Sequence, residues 1–251
     1  MPFPILSAMS VPSPLSNLPG PSLNELQVAL ARTGYPIKAI DGQYGPNTNS
    51  CWAAFCANAL SDNNPDLVTP AAVNGLVSKV DALTSIEAGP QVTPEQVISA
   101  IIAECNALGL TLRTQHAYVV ATTYWETAHT FRPVREAFYL SDPDTYLRTK
   151  AYYPYYGRGY VQLTWRSNYE HYGSITQSNL AANPDLALDP AIALFVLVQG
   201  FKLGAFTGHK ITDYINSSGA DFVKARLCIN GTDRAADIAA VAERYLTSLQ
   251  S

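Results

Sequence analysis

Glu126 and Glu136 are placed in the chain as acid–base chemistry would need them. Glu126 ends the apolar run Ala117-Tyr118-Val119-Val120-Ala121-Thr122-Thr123-Tyr124-Trp125, and Glu136 follows on the far side of Pro133. Cleavage of a glycosidic bond uses one carboxyl to protonate the leaving oxygen and a second to activate water or attack the sugar. The acid must hold its proton near neutral pH, which apolar surroundings favour, and the sequence neighbours of Glu126 are aromatic or small. Pro133 breaks a helix carrying Glu126, so the two carboxyls belong to different elements and can face each other across a cleft. Among 20 acidic residues, spacing alone does not separate this pair from two ordinary surface glutamates.

Other chemistries have less support. His116, His129, His171 and His209 show no HExxH spacing, and no cysteine joins one of them as a ligand pair. A zinc amidase or peptidase is therefore disfavoured, and neither a metal nor another cofactor is expected. There is no GxSxG element for a serine hydrolase. Cys51, Cys56, Cys105 and Cys228 lack CxxC spacing and read as buried thiols of a reducing compartment.

The stretch Tyr156-Gly157-Arg158-Gly159-Tyr160-Val161-Gln162-Leu163-Thr164-Trp165-Arg166-Ser167-Asn168-Tyr169 closely resembles the GRG-x-x-QLT-x-x-x-NY signature of glycoside hydrolase family 19, the chitinases and related phage endolysins. Trp125-Glu126-Thr127-Ala128 is similar to the family's HET segment, with Trp125 where the family has His. Ile229-Asn230-Gly231 resembles its INGG segment. The resemblance spans roughly residues 95–248. It implies Glu126 as general acid and Glu136 as the base that positions water; Asp142 and Asp144, a few residues on, are the substitutes for the base by their nearness in sequence. It also implies that Thr164 helps hold the water and that Asn230 binds substrate. Gln162 and Asn168 would hydrogen-bond sugar hydroxyl or acetamido groups, since amides both donate and accept; each reads equally as a buried bond holding its own loop. Arg158 either pairs with a catalytic carboxylate or anchors the loop. Tyr152, Tyr153, Tyr155 and Tyr156 form an aromatic patch that suits sugar faces or simply packs, and Tyr156 is taken with Arg158 as a candidate substrate contact.

A second motif precedes this one. Leu26-Gln27-Val28-Ala29-Leu30, Asp41-Gly42-Gln43-Tyr44-Gly45-Pro46-Asn47-Thr48 and Trp52 to Phe55 resemble the small peptidoglycan-binding domain of wall hydrolases, with its LQ-x-x-L helix and DG-x-[FY]-G-x-x-T turn. Asp-Gly and Gly-Pro enforce turns, and Asn47 or Thr48 would cap the next helix. Cys56 stands where that family has Gln. A helical appendage without a ligand is the alternative.

The elements that must position these residues are mainly helical, and a lysozyme-like catalytic domain of the family 19 type beside a small three-helix wall-binding domain is expected. Residues 1–20, rich in Pro and Ser, read as a flexible tail. Ser22 and Glu25 predict a capping box opening the first helix. Helices follow near Asn47 and at Thr69-Pro70, the latter burying Val73, Leu76, Val77 and Val80. Residues 21–85 form the first domain. Residues 84–92, with Gly89-Pro90, read as the boundary, and residues 92–251 form the catalytic domain. Thr93-Pro94-Glu95-Gln96 predicts a capped helix with Val97, Ile98, Ile101, Ile102, Cys105 and Leu108 on one stripe. Further helices are predicted over Thr114 to Ala128, from Asp189-Pro190 to Leu203, and after Thr232, the last with Ile238, Val241, Ala242, Tyr245, Leu246 and Leu249 on one face. A small β or loop insert is expected near Tyr152 to Trp165.

Composition sets the remaining bounds. Hydrophobic residues make up 47% and charged residues 14% of the 251, ample for a packed core. A net charge of -4 argues against nucleic acid as a partner and supplies no general attraction to an anionic wall. No Lys or Arg precedes the proline-interrupted N-terminal apolar residues, so no secretory signal is read. The longest apolar run, Ala191 to Val198, is too short to span a bilayer, so no membrane insertion is expected. The reading is a monomeric endolysin that cuts β-1,4 bonds in peptidoglycan glycan strands by an inverting, muramidase-type reaction. It would be made in the host cytoplasm and released to the cell wall through a holin's membrane lesion. A chitinase acting on N-acetylglucosamine polymers and a non-catalytic wall-binding protein are the alternatives. The joint presence of Glu126, Gln162, Thr164, Asn168 and Asn230 speaks against the latter.

Overall fold

The computed structural model describes residues 3–59, 64–83 and 92–248. The chain is mainly helical and divides into two compact units, Met1–Thr84 with Ser174–Ser178, and Ser85–Gly173 with Asn179–Ser251. The boundary expected at residues 84–92 lies almost wholly outside the described residues, as does Leu249.

The first unit runs through α1 (Pro4–Ser7), β1 (Ser13–Pro14), α2 (Gly20–Arg32), α3 (Pro46–Ala59), β2 (Leu67–Val68) and α4 (Pro70–Leu83). Leu26, Leu30, Trp52, Phe55, Leu76 and Val80 are wholly buried and make its core. β1 and β2 pair antiparallel, Ser13 opposite Val68. Thr69 caps α4 by accepting the Ala72 N–H at 3.2 Å.

Three local expectations are corrected in this unit. Residues 3–20 are not a loose tail: Phe3, Leu6, Leu15 and Leu18 are buried, and α1 packs on α2 and α4. Prolines hide these apolar residues from any periodic pattern. Glu25 does not close a capping box with Ser22. α2 starts earlier, at Gly20, without a side-chain cap, and the Glu25 carboxylate accepts the N–H groups of Ile5 at 3.3 Å and Leu6 at 2.7 Å. Asn47 and Thr48 lie inside α3 rather than capping it. Asn47 accepts the Lys38 N–H and donates to the Pro36 carbonyl, and Thr48 accepts from Gln27.

Gln27 organises the DG turn. Its Nε2 donates to Asp41 Oδ1 (3.1 Å), the Gln43 carbonyl (3.0 Å) and Thr48 Oγ1 (3.1 Å). Its Oε1 accepts the N–H groups of Asp41 and Gly42 at 3.0 and 2.9 Å. Gly42 has φ +66, and a Cβ there would sit 2.5 Å from the Gly20 carbonyl oxygen, so the turn admits only glycine.

The second unit continues with α5 (Pro94–Ala107), α6 (Arg113–Glu126), β3 (Val134–Arg135), α7 (Pro143–Arg148), β4 (Arg158–Gly159), α8 (Arg166–Thr176), α9 (Pro190–Leu203), β5 (Ile215–Asn216), β6 (Gly219–Ala220) and α10 (Ala235–Ser248). The capping box at Thr93 and Gln96 is present, and Asp189 caps α9 through the N–H groups of Ala191 and Ile192. α6 is the central helix. Its residues Gln115 to Thr123 are all buried, with α10, α5 and α9 packed around it, the environment of a helix apolar on every side. All four cysteines are buried thiols.

The insert expected near Tyr152 to Trp165 is where the Glu136 segment meets the GRG segment. β3 pairs antiparallel with β4, Val134 opposite Gly159 and Arg135 opposite Arg158. The chain then doubles back tightly, with Arg158 and Leu163 exchanging backbone hydrogen bonds at 3.2 and 2.8 Å. Glu136 is thereby fixed beside the GRG segment. Among the described residues no helix is long and apolar enough to cross a membrane.

Candidate active site

Glu126 is the last residue of α6, where the buried helix reaches the surface of its unit. Its Oε1 accepts Arg226 Nη1 at 2.6 Å. The side chains are 17% and 5% exposed respectively, and Arg226 Nε is tied to the Asp233 carbonyl at 3.1 Å. The apolar surroundings expected for this carboxyl are therefore only half realised: the helix behind it is apolar, but its immediate partner is a cation. Arginine only donates, so a proton carried by this carboxyl must sit on Oε2. Thr127, fully buried, closes the end of the helix by donating to the Thr123 carbonyl at 2.7 Å and accepting the Phe131 N–H at 3.0 Å.

Glu136 is half-buried, and both its oxygens are engaged. Oε1 accepts the Tyr152 hydroxyl at 2.7 Å and Oε2 the Gly157 N–H at 3.1 Å, while the Glu136 N–H donates to the Gly157 carbonyl at 2.7 Å. Burial first, and then the carboxylate beside it, push the Tyr152 phenol well above its ordinary range. Tyr152 therefore stays a donor. A Cβ on Gly157 would come within 2.6 Å of Gln162 Oε1, so a larger residue there would have to push the Gln162 side chain aside.

These groups line one cleft of about 460 Å³. Glu126, Glu136, Gln162, Thr164, Asn168 and Asn230 all open onto it, together with Tyr152, Gly157, Val161, Trp165, Phe206 and Ile229. Each polar side chain spends one part of itself on the protein. Gln162 donates to the Val134 carbonyl at 3.1 Å and Asn168 to the Thr164 carbonyl at 2.7 Å, which leaves their amide oxygens as acceptors. Asn230 Oδ1 accepts the Gly231 N–H at 2.9 Å, which leaves its NH2 as donor. Thr164 donates to the Gln162 carbonyl at 2.9 Å, so its hydroxyl oxygen can only accept further bonds. The loop-holding bonds expected of Gln162 and Asn168 are thus present, and each residue also opens onto the cleft.

Tyr156 and Arg158 do not line the cleft. Arg158 is 3% exposed and its guanidinium binds Asp185 Oδ1, the carbonyls of Pro154 and Tyr156, and the Tyr169 hydroxyl. It stacks 3.7 Å above the Tyr156 ring. Both are anchors of the loop, which corrects their assignment as substrate contacts. Asp142 caps α7 through the Thr145 N–H at 3.1 Å, and Asp144 is held by Arg135. Neither borders the cleft.

Sequence reasoning did not reach Arg226, Phe206 or the role of Tyr152. Arg226 carried no motif or spacing that tied it to Glu126. A signal visible only in three dimensions marks the same region: Ala128, His129, Phe131, Ala137, Gln162 and Trp165 all have positive φ, a cost that non-glycine residues carry where the surroundings hold them.

Residues 113–208 match the family profile described as chitinase class I, glycoside hydrolase family 19. The match covers the stretch that holds most of the cleft; Arg226, Ile229 and Asn230 lie beyond it. A 52-residue stretch is 48% identical to "Chitinase 8" of Oryza sativa subsp. japonica, covering 21% of this chain and 20% of that protein, so the match spans a fifth of that relative's length. Chitinase C from Streptomyces griseus HUT6037 superposes with a TM-score of 0.39 and 21% identity, over 69% of this chain and 65% of that one.

Proposed function

We propose that the chain hydrolyses β-1,4 glycosidic bonds between N-acetylhexosamines, with Glu126 as general acid and Glu136 as general base. The observation that carries this reading is the single cleft onto which both carboxyls open with Gln162, Thr164, Asn168 and Asn230. Glu126 would protonate the leaving oxygen from Oε2, while Arg226 holds Oε1 and takes the charge left behind. A carboxylate oxygen accepts more than one hydrogen bond, so Glu136 can still accept one hydrogen of a water. Thr164, its own proton committed, accepts the other. The water lone pair is then directed at the anomeric carbon, and the configuration inverts. Acceptors on Gln162 and Asn168 and donors on Asn230 suit the N–H and C=O of an acetamido group, and exposed Trp165 offers a face for a sugar ring.

Peptidoglycan is the proposed polymer, cut in the manner of a muramidase. The support is the resemblance of residues 26–55 to a wall-binding domain; a wall-binding unit joined to a glycosidase suits an endolysin that works as a monomer after a holin opens the membrane. Chitin is the second reading, favoured by the match to the chitinase class I profile. Mass analysis of digests of purified peptidoglycan and of chitin tests both. New reducing ends on N-acetylmuramic acid support the first reading, soluble products from chitin alone support the second, and cut peptides with intact glycan overturn the glycosidase assignment.

A further inference from the structure

Several cations of the second unit are committed to carboxylates. Arg226 holds Glu126, Arg158 holds Asp185, Arg135 holds Asp144 and Arg166 holds Glu170. Lys150 differs. Its ammonium lies 4.0 Å above the centroid of the Tyr146 ring, and among the described residues no carboxylate pairs with it. Lys150 follows α7, its N–H bonded to the Leu147 carbonyl at 3.0 Å.

This ammonium and its ring belong to the same part of the unit as the aromatic residues of the cleft. Trp165, 53% exposed, meets Tyr152 edge-on with centroids 5.4 Å apart. Tyr152 donates to Glu136 and packs against the cluster that holds Leu147, the chain neighbour of Tyr146. Tyr146 is itself 41% exposed. That cluster, Leu147 with Ala137 and Tyr156, is buried. A ring face beside an uncommitted ammonium recognises a ligand with an apolar part and a carboxylate. Lysine suits this, as a mobile point charge with three donors that can leave the ring for an anion.

We infer that Tyr146 and Lys150 form a subsite beside the cleft for the carboxylates of peptide substituents on the glycan. Neutral N-acetylglucosamine polymers carry no such group, whereas the stem peptides of peptidoglycan do. The subsite would therefore select peptide-bearing glycan over chitin at the same catalytic centre. The inference deepens the reading under "Proposed function" and rests on it.

The test compares soluble peptide-bearing glycan oligomers from peptidoglycan with chitohexaose. Lys150→Met is expected to lower the ratio of kcat/KM on the peptide-bearing oligomer to that on chitohexaose about fivefold, the scale of a partly exposed ion pair. Lys150→Arg should restore most of it, and the difference should shrink as salt rises. An unchanged ratio, or an equal fall on both substrates, overturns the inference. A binding arm separates it from the catalytic proposal: calorimetry on Glu126→Gln should give about fivefold weaker binding of the peptide-bearing oligomer when Lys150→Met is added. If the wild type cleaves neither substrate, the catalytic reading fails, and the binding arm alone decides the subsite. Equal binding with and without Lys150→Met, or no binding of the peptide-bearing oligomer at all, overturns it.

Discussion

The Tyr152 hydroxyl donates to Glu136 Oε1 at 2.7 Å, while the Gly157 N–H holds Oε2 at 3.1 Å. These two donors fix the rotation of the proposed base. Tyr152→Phe removes one of them and keeps the ring that packs against Trp165. Activity should fall about tenfold, a little over 1 kcal/mol of barrier, in kcat and with KM nearly unchanged, because orientation of the base matters only as the water attacks. A loss confined to KM would show that Tyr152 binds sugar rather than positioning Glu136.

Arg226 should be indispensable. Breaking a buried ion pair by removing one partner costs about 3–5 kcal/mol because a charge is left without a counter-ion. Arg226→Met should therefore lower the midpoint of denaturant unfolding markedly and abolish activity. Adding Glu126→Gln should recover much of the stability and none of the activity. A double variant no more stable than Arg226→Met would mean that the guanidinium matters through its bond to the Asp233 carbonyl instead.

The roles in the cleft predict an order of damage. Glu126→Gln and Glu136→Gln keep shape but cannot transfer the proton, so both should fold and be nearly inactive. Thr164→Ala should be intermediate, since a neutral hydroxyl only orients the water. NMR of the fresh reducing end should show the α-anomer first. A β-anomer at early times would mean retention and would take Glu136 out of the base role.

Gln27 carries five hydrogen bonds of the first unit. Gln27→Ala removes all five, the buried bond to Thr48 among them, so the DG turn should loosen. Sedimentation with cell walls should weaken while cleavage of short soluble glycans persists. Unchanged sedimentation would separate this turn from wall binding.

Alkaline pH should unfold the protein. Burial pushes the hydroxyls of Tyr160 and Tyr169 up to about 12 and raises those of Tyr118, Tyr152 and Tyr172 further, against about 10 in an unfolded chain. Below pH 10 both states keep these protons. Above it the unfolded state releases them first, so stability falls with rising pH until the folded tyrosines titrate too. Tm should be nearly flat around neutrality and drop steeply above about pH 10, with tyrosinate absorbance rising at unfolding. A Tm indifferent to pH between 10 and 11.5 would contradict the burial of these rings.

The sequence by itself determined the elements and the residue types. Local rules suffice for a helix with a period and a cap, which is why Thr93 with Gln96, Asp189-Pro190 and Thr69-Pro70 could be read as helix starts before any contact was known. The long GRG-x-x-QLT stretch likewise named Gln162, Thr164 and Asn168 among the polar residues that line the cleft. Local rules misled where a cap or tail is completed from elsewhere in the chain. Glu25 has the spacing of a capping box, yet its oxygens serve the amides of Ile5 and Leu6, and the segment expected to be loose is folded by that contact. Only the tertiary structure decided which side chains face the cleft. Arg158 and Gln162 sit in one short motif, yet the doubled-back turn at Arg158 and Leu163 buries one and opens the other to the cleft. The partner of Glu126 comes from Arg226, far along the chain. Such pairings depend on the packing of whole helices around α6, and no spacing in a linear sequence encodes them.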